Sequence, residues 1–397
     1  MNARIEPLVG REAELAALDG ALEQLEGGGQ GCLTIEGDPG IGKSRLLAEL
    51  RRRAEEQGHT VLGGVASEFE AYLPFGVAAD AFDAYLASLD EELVAEWPVE
   101  LRAELARIFP SLQAEAPAGA ATTGDERYRA HRAIRALLER LAAGQPLVLV
   151  LDDVHWADDA SLELIQALLG RPAEAQVLVA MGFRPGQAPE RLTAALAAPG
   201  VERIELGPLS REEAAALLAT EPGSRELEAI YERGGGNPFY LEQLARTGGG
   251  TGEVAGDAEG AVPAGIAASV AEEVAALGQD AQALLRAAAV AGERFEPDLA
   301  AEIAEIGADE GLATLDRLLA VDLLRPTELP RRFAFRHPLV WRAVYERTPA
   351  GWRLAAHGRA AGALAARGAA ATVRAHHVEH AAGQGDEEAI TVLIEAG

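Results

Sequence analysis

The chain has 397 residues, 63 acidic against 35 basic, for a formal net charge of −28. That balance disfavours sequence-independent attraction of the whole chain to nucleic acid or to an anionic membrane, and the length calls for about two to four domains. One cysteine, Cys32, excludes a disulfide framework and reads as a small core residue, and no run approaches the roughly 18 apolar residues of a membrane span, so a cytoplasmic protein is expected.

The stretch LVGREAEL (8–15) leads into an amphipathic helix expected over Glu12–Leu25. Val9, Gly10 and Arg11 stand ahead of the next motif, where a nucleotide base could pack. Gly37 to Ser44 reads GDPGIGKS, the G-x-x-x-x-G-K-[ST] pattern of a phosphate-binding loop, between the apolar run Cys32–Ile35 and a helical run from Arg45 to Leu50. This strand-to-helix turn is the context the chemistry needs. Gly37, Gly40 and Gly42 let main-chain N–H groups turn inward, the helix N-terminus adds partial positive charge, and Pro39, Ile41 and Arg45 complete the nucleotide-binding stretch. Lys43 is assigned to the terminal phosphates and Ser44 to magnesium. Lys43 is also the only lysine, every other basic side chain being arginine.

His59–Val65 reads as a second strand, followed by helices at Val77–Leu86, Glu91–Trp97, Glu100–Ile108 and Asp125–Leu141 and a loop over Ala114–Thr123. Leu147–Leu151 is a continuous apolar run of the kind buried on both faces of a parallel sheet, and it ends in Asp152 and Asp153. Asp152 is assigned to hydrated magnesium and Asp153 to polarising the attacking water. Strands at Gln176–Met181 and Val201–Leu206 follow; Arg184, just past the first, is placed to sense the terminal phosphate.

Ser210 and Glu213 form a capping box that opens a helical region. Gly234–Gly236 end its second helix, and Pro238 starts a third. Thr247–Gly260 is the linker candidate. Helices at Ile266–Leu277, Asp280–Ala291, Pro297–Ile306 and Asp309–Ala320, a hairpin (Asp322–Arg325 with Arg332–Arg336) and a helix at Pro338–Glu346 make a winged-helix pattern. From Gly351 the chain is Ala-rich and helical, the start of a stacked array. The expected domains are thus a phosphate-loop α/β domain at 1–207, a helical lid and linker at 208–262, a winged helix at 263–348 and a helical array at 349–397.

The segments LVGREAEL, GDPGIGKSRL, LVLVLDDVHWADDASLELI, the MGFRP strand end and GGGNPFYLEQL resemble, in order and spacing, the ATPase module of large ATP-binding LuxR-type regulators, within the signal-transduction ATPases with numerous domains. The resemblance implies an AAA-type P-loop ATPase with a five-stranded parallel core, the phosphate strand central, using ATP/ADP and Mg2+. It also implies that Pro238 packs near adenine and that His337 reads a diphosphate.

The reading that follows is a slow ATPase switch, a module of a transcriptional regulator whose nucleotide state controls domain packing and self-association. The alternative is a DNA-handling ATPase of the origin-recognition kind; the long lid and paired aspartates argue against a small-molecule phosphotransferase. With no helix-turn-helix motif near Gly397, DNA binding is not expected of this chain alone. Residues 325–380 carry a net charge of +7 against −35 for the remainder, and that basic surface is expected to dock on acidic faces of the core or of a second copy.

Overall fold

The computed structural model describes residues 8–67, 73–115, 124–198, 200–247, 262–383 and 386–396. Beyond its first residue the linker expected over 247–260 falls outside them, as does most of the loop expected over 114–123. The chain divides into two compact units, one of residues 1–217 with 237–239 and one of residues 218–236 with 240–397.

In the first unit the apolar runs become parallel strands. In chain order its elements are α1 (Glu12–Glu26), β1 (Gly31–Gly37), α2 (Lys43–Glu56), β2 (Thr60–Val65), α3 (Gly76–Ala87), α4 (Glu91–Ala95), α5 (Val99–Leu105), α6 (Gly124–Leu141), β3 (Leu147–Asp152), α7 (Asp159–Gly170), β4 (Val177–Phe183), α8 (Glu190–Leu196), β5 (Val201–Leu206) and α9 (Arg211–Leu217). The sheet order is β2-β3-β4-β1-β5, all pairs parallel. The phosphate strand β1 is therefore interior, with β4 in the middle position.

Strand β3 shows why such a run must be continuous. Leu147, Leu149 and Leu151 join Ile134 and Leu137 of α6 and Leu164 and Leu168 of α7 in one core, while Val148 and Val150 join Leu18 and Leu22 of α1 and Leu46 and Leu50 of α2 in another. Side chains alternate across the pleat, so a strand between two helical layers needs apolar residues at every position. Burying each such side chain contributes about 1.5–3 kcal/mol. Cys32 faces the first of these cores, and burial pushes its thiol up to about 12.

The second unit holds α10 (Arg225–Gly234), α11 (Pro238–Arg246, whose first two residues belong to the first unit), α12 (Ala264–Ala275), α13 (Gln279–Ala291), β6 (Arg294–Phe295), α14 (Pro297–Ala304), α15 (Ala308–Ala320), β7 (Leu324–Pro326), β8 (Phe333–Phe335), α16 (Pro338–Arg347), α17 (Ala350–Ala366), α18 (Ala371–Ala381) and α19 (Glu387–Ala396). The hairpin β7–β8 gains a third antiparallel strand, β6, through Arg294 opposite Ala334 and Phe295 opposite Phe333. The succession α13, β6, α14, α15, β7, β8 is the winged-helix arrangement, with residues 327–332 as the wing. Its core is Leu284, Leu285, Ile303, Leu315, Leu318 and Val340, all buried.

The arginine-rich segment behaves differently from expectation. Arg325 pairs with Asp322, Arg331 with Asp298, Arg332 with Glu296, Arg336 with Glu273, Arg359 with Glu305 and Arg367 with Glu302, all carboxylates of the same unit. The excess of positive charge along residues 325–380 is thus compensated by carboxylates outside that segment but inside the unit, all but Asp322 distant in sequence.

Candidate active site

The loop after β1 takes the backbone shape that its glycines permit. Gly40 and Gly42 have φ of +75° and +111°, values open to glycine and costly for other residues. A Cβ on Gly42 would meet nothing within 4 Å, whereas one on Gly40 would lie 2.8 Å from the Phe239 Cβ, and one on Gly37 2.8 Å from Ile41. Gly42 therefore faces open space at the start of α2, whose first N–H groups have no partner within the helix. The Lys43 Nζ donates to the carbonyls of Gly37 (2.9 Å) and Asp38 (3.0 Å). Burial first, then the Arg184 charge, lowers its pKa to about 8 against the opposing pull of Asp153, Asp152 and Asp38. Ser44 is exposed one residue on, and Arg45 is half-buried.

Asp152 closes β3, and its Oδ1 accepts the Asp153 N–H at 2.8 Å. It reaches toward β4, where a Cβ on Gly182 would come 2.6 Å from that same oxygen. The glycine in an otherwise apolar strand is thus the room left for a carboxylate. Asp153 sits in the left-handed region at φ 50°, and burial, followed by the charge of Asp152, raises its carboxyl pKa against Arg184 and Lys43. Arg184 follows β4 and contributes its field to Lys43, Asp153 and His155. Among the sequence-assigned groups, Lys43 and Asp153 thus each feel the other's charge and those of Asp152 and Arg184.

Val9, Gly10 and Arg11 stand beside this loop. The Arg11 guanidinium donates to the carbonyls of Ile41 (3.3 Å) and Gly207 (2.6 Å), and its N–H donates to Glu213 (3.3 Å). Arg11 is a strut between the phosphate loop and the end of β5. Glu213 completes its capping box with Ser210 at 2.7 and 3.2 Å, and the backbone N–H of Ser210 is the main cause of its depressed pKa. Leu8, Val9, Arg45, Leu209 and Pro238 line a cavity of about 30 Å³ here. That volume has room for a few water molecules and for no purine, so a base entering beside Pro238 must part these side chains.

Asn237, which the sequence reading passed over in favour of its neighbour, makes the contact itself. Its Nδ2 donates to the Pro39 carbonyl at 2.9 Å, its Oδ1 accepts the Phe239 N–H, and that same N–H lies 3.3 Å from the Gly40 carbonyl. An Asn directly before a helix-starting Pro was the available signal. Two further residues of the DDVHWAD segment were also unassigned. The Nδ1 of His155 lies 3.9 Å from Asp153, and burial, then Arg184 and Lys43, pushes its pKa down to about 3, so the ring is neutral. Asp158 caps two helices at once, accepting from Ala160, Ser161 (N–H and Oγ), Phe75 and Gly76.

His337 belongs to the second unit. Its Nδ1 accepts the Leu339 N–H at 3.2 Å, which caps α16 and leaves the proton on Nε2, and its ring packs 4.5 Å from that of Tyr240. A Cβ on Gly235 would stand 3.1 Å from Nε2.

Residues 7–180 match the AAA ATPase domain family, and this stretch holds both the phosphate loop and the strand ending in Asp152. The first unit thus contains an AAA ATPase domain, with the phosphate-loop architecture of an ATP-hydrolysing enzyme and the generic nucleotide site of that fold. Among relatives, the chain is 30% identical to an uncharacterized protein of Rhizobium meliloti (strain 1021), across 98% of this chain and 40% of that protein. Among solved structures it is similar to a signal-transduction ATPase with numerous domains and a tetratricopeptide repeat sensor from Pyrococcus horikoshii (18% identity, TM-score 0.38, 99% of this chain and 50% of that one). It is also similar to the ORC1 protein of Aeropyrum pernix in complex with DNA (15%, 0.49, 87% and 95%) and to Drosophila ORC bound to DNA (12%, 0.38, 82% and 91%). The chain spans about two-fifths of the curated relative's length and half of the Pyrococcus protein's.

The exclusion of DNA drawn from net charge and from the missing helix-turn-helix is therefore corrected. Chains that match this one along most of its length are solved on DNA. Net charge is a property of the whole molecule, whereas a duplex meets the field of one face. On membranes the structure says less: no helix of the described residues is long and apolar enough to cross one.

Proposed function

We propose that this chain is an ATP-hydrolysing switch that handles DNA, in the manner of origin-recognition ATPases, with nucleotide state in the first unit setting the conformation of the winged unit. The observation that carries it is the seating of Asn237, Pro238 and Phe239 on the phosphate loop. The chain on either side of these three residues belongs to the second unit, so a displacement of Pro39 or Gly40 is transmitted along the backbone itself.

In this reading Lys43 and the loop N–H groups hold the phosphates, Ser44 and Asp152 hold Mg2+, Asp153 takes the proton of the attacking water, and Arg184 stabilises charge on the terminal phosphate. Bound Mg2+ would supply neutralisation of phosphate charge. A raised pKa suits Asp153 to proton abstraction. His337 is assigned to reading the diphosphate, and His337→Ala is expected to weaken ADP more than ATP in equilibrium titrations. Equal weakening would leave His337 as the cap of α16 alone.

The DNA limb rests on the wing. Arg331 and Arg332 are 73% and 47% exposed, and each is held by an exposed carboxylate that a phosphate can replace. Duplex titration of the ATP-loaded chain at stepped salt is the test, with ADP in parallel. Tighter binding with ATP is expected, and the double change Arg331→Ala/Arg332→Ala should reduce the log–log salt slope by about 1.8. An unchanged slope, or no nucleotide effect, would remove this limb.

A second reading, a regulator module within a longer protein, is favoured by α17, α18 and α19, which follow the winged helix as successive packed helices. Nucleotide-dependent DNA binding absent, with ATPase activity intact, would select it.

A further inference from the structure

Four of the chain's eight histidines stand together, His357 on α17 and His376, His377 and His380 on α18. The two helices are joined by four residues, 367–370, and pack as a hairpin. His376 and His380 are one helical turn apart and share a face. Ring nitrogens of His357, His376 and His380 all lie within 4.8 Å of one another. The His357 ring centroid is 5.5 Å from that of His376 and 4.7 Å from that of His380, and those two are 4.5 Å apart.

We propose that His357, His376 and His380 form a binding site for a divalent transition-metal ion of the zinc class, which clamps α17 to α18 and leaves a fourth position to solvent. Three imidazoles with no carboxylate favour zinc, copper or nickel over magnesium or calcium, which take oxygen ligands. Tetrahedral Zn–N bonds of about 2.0–2.1 Å place ligand nitrogens about 3.3 Å apart, so the set must close by about 1.5 Å. His376 and His380, both exposed, are the rings that close by that amount.

The hydrogen bonds around the rings already resemble those that hold metal ligands. The Nδ1 of His380 lies 2.9 Å from the His376 carbonyl, to which it donates, and this keeps the lone pair on Nε2. His357 is fixed by the Tyr345 hydroxyl at Nε2 (3.0 Å) and by His377 at Nδ1 (3.0 Å), one of which it exchanges for the ion. The Arg353 guanidinium, over the Tyr345 ring, opposes a cation and Glu379 favours one. Micromolar affinity is the expectation.

The test uses the full chain, stripped with chelator and kept in Mg2+ and ADP so that oxygen sites are occupied. Titration with Co2+ should produce the visible bands of a low-coordinate, nitrogen-ligated ion, saturating at one equivalent and displaced by Zn2+. The variant His376→Gln/His380→Gln should lose the bands and bind Zn2+ at least about 100-fold more weakly, with an unchanged far-UV spectrum since both side chains are exposed. Zn2+ should also slow amide exchange in α17 and α18 of the native chain alone. Absence of saturable binding, equal affinity in the variant, or protection confined to other elements would each overturn the site.

Discussion

Between Asp152 and Asp158 the chain uses one side-chain type in two opposite ways. Asp158 is buried and accepts five hydrogen bonds, from Phe75, Gly76 and Ala160 and twice from Ser161, which fix the starts of α3 and α7. Among the described residues, Asp152 accepts one, from its neighbour's backbone, and Asp153 has the His155 imidazole at 3.9 Å. A carboxylate saturated by donors has no capacity left for a ligand, whereas two that are held close, partly buried and under-supplied repel each other and attract a cation or a proton. The difference separates a residue that makes the fold from residues placed to act on what the fold binds.

Substitutions can break that contrast, and the largest effect is expected at the saturated site. Asp158→Ala leaves buried N–H groups without acceptors and removes two caps, for an expected loss of about 4–5 kcal/mol in urea unfolding. Asp159→Ala, at a neighbouring carboxylate that is 76% exposed, serves as the reference and should cost little; equal losses would show that Asp158 has no special role. Next comes Asp153→Asn, with kcat lowered about 10²–10⁴-fold and ATP affinity retained. Because the Asp153 pKa is raised, the native acid limb of kcat should lie above the ordinary aspartate value of about 3.9, activity falling as pH drops through it. Turnover at the native rate in the amide variant would place the base elsewhere.

The remaining two are smaller. Mg·ATP at 100-fold over Kd should stabilise the native chain by about 2.7 kcal/mol, and Lys43→Ala should abolish most of that gain in thermal unfolding. Gly182→Ala sharpens the contrast from the other side, since its Cβ would displace the Asp152 carboxylate and press on Leu47. About 1–2 kcal/mol of stability and a several-fold fall in turnover are expected. Stability lost with kinetics unchanged would mean that Asp152 tolerates the shift.

What was legible in the sequence follows the same division. Asp152 and Asp153 end an apolar run downstream of a phosphate loop, so local pattern sufficed to single them out. The local half of Asp158's role, an Asp just before a helix, was there to be read, but Phe75 and Gly76 lie more than 80 residues upstream and only the fold brings them over. Strand β6 has two residues, too few to show any period, and exists because β8 offers it an edge. The pair His376 and His380 shows helical spacing, yet His357 joins it only once α17 folds against α18. Asn237 was hidden beside a proline with a familiar role. Charge misled most: arginines counted as an exposed excess are matched by carboxylates that a linear sum assigns to other segments.

Lys43 combines two properties with a practical consequence. It is the only lysine in the chain, and burial brings its pKa down to about 8. Acylating reagents therefore meet one nucleophilic side-chain amine in the whole molecule, and a lysine-directed protease has one peptide bond to cut, that between Lys43 and Ser44. Both react only as the loop opens, so labelling and cleavage rates report opening of the phosphate loop without any engineered probe, and a bound nucleotide should be visible as protection at a single residue.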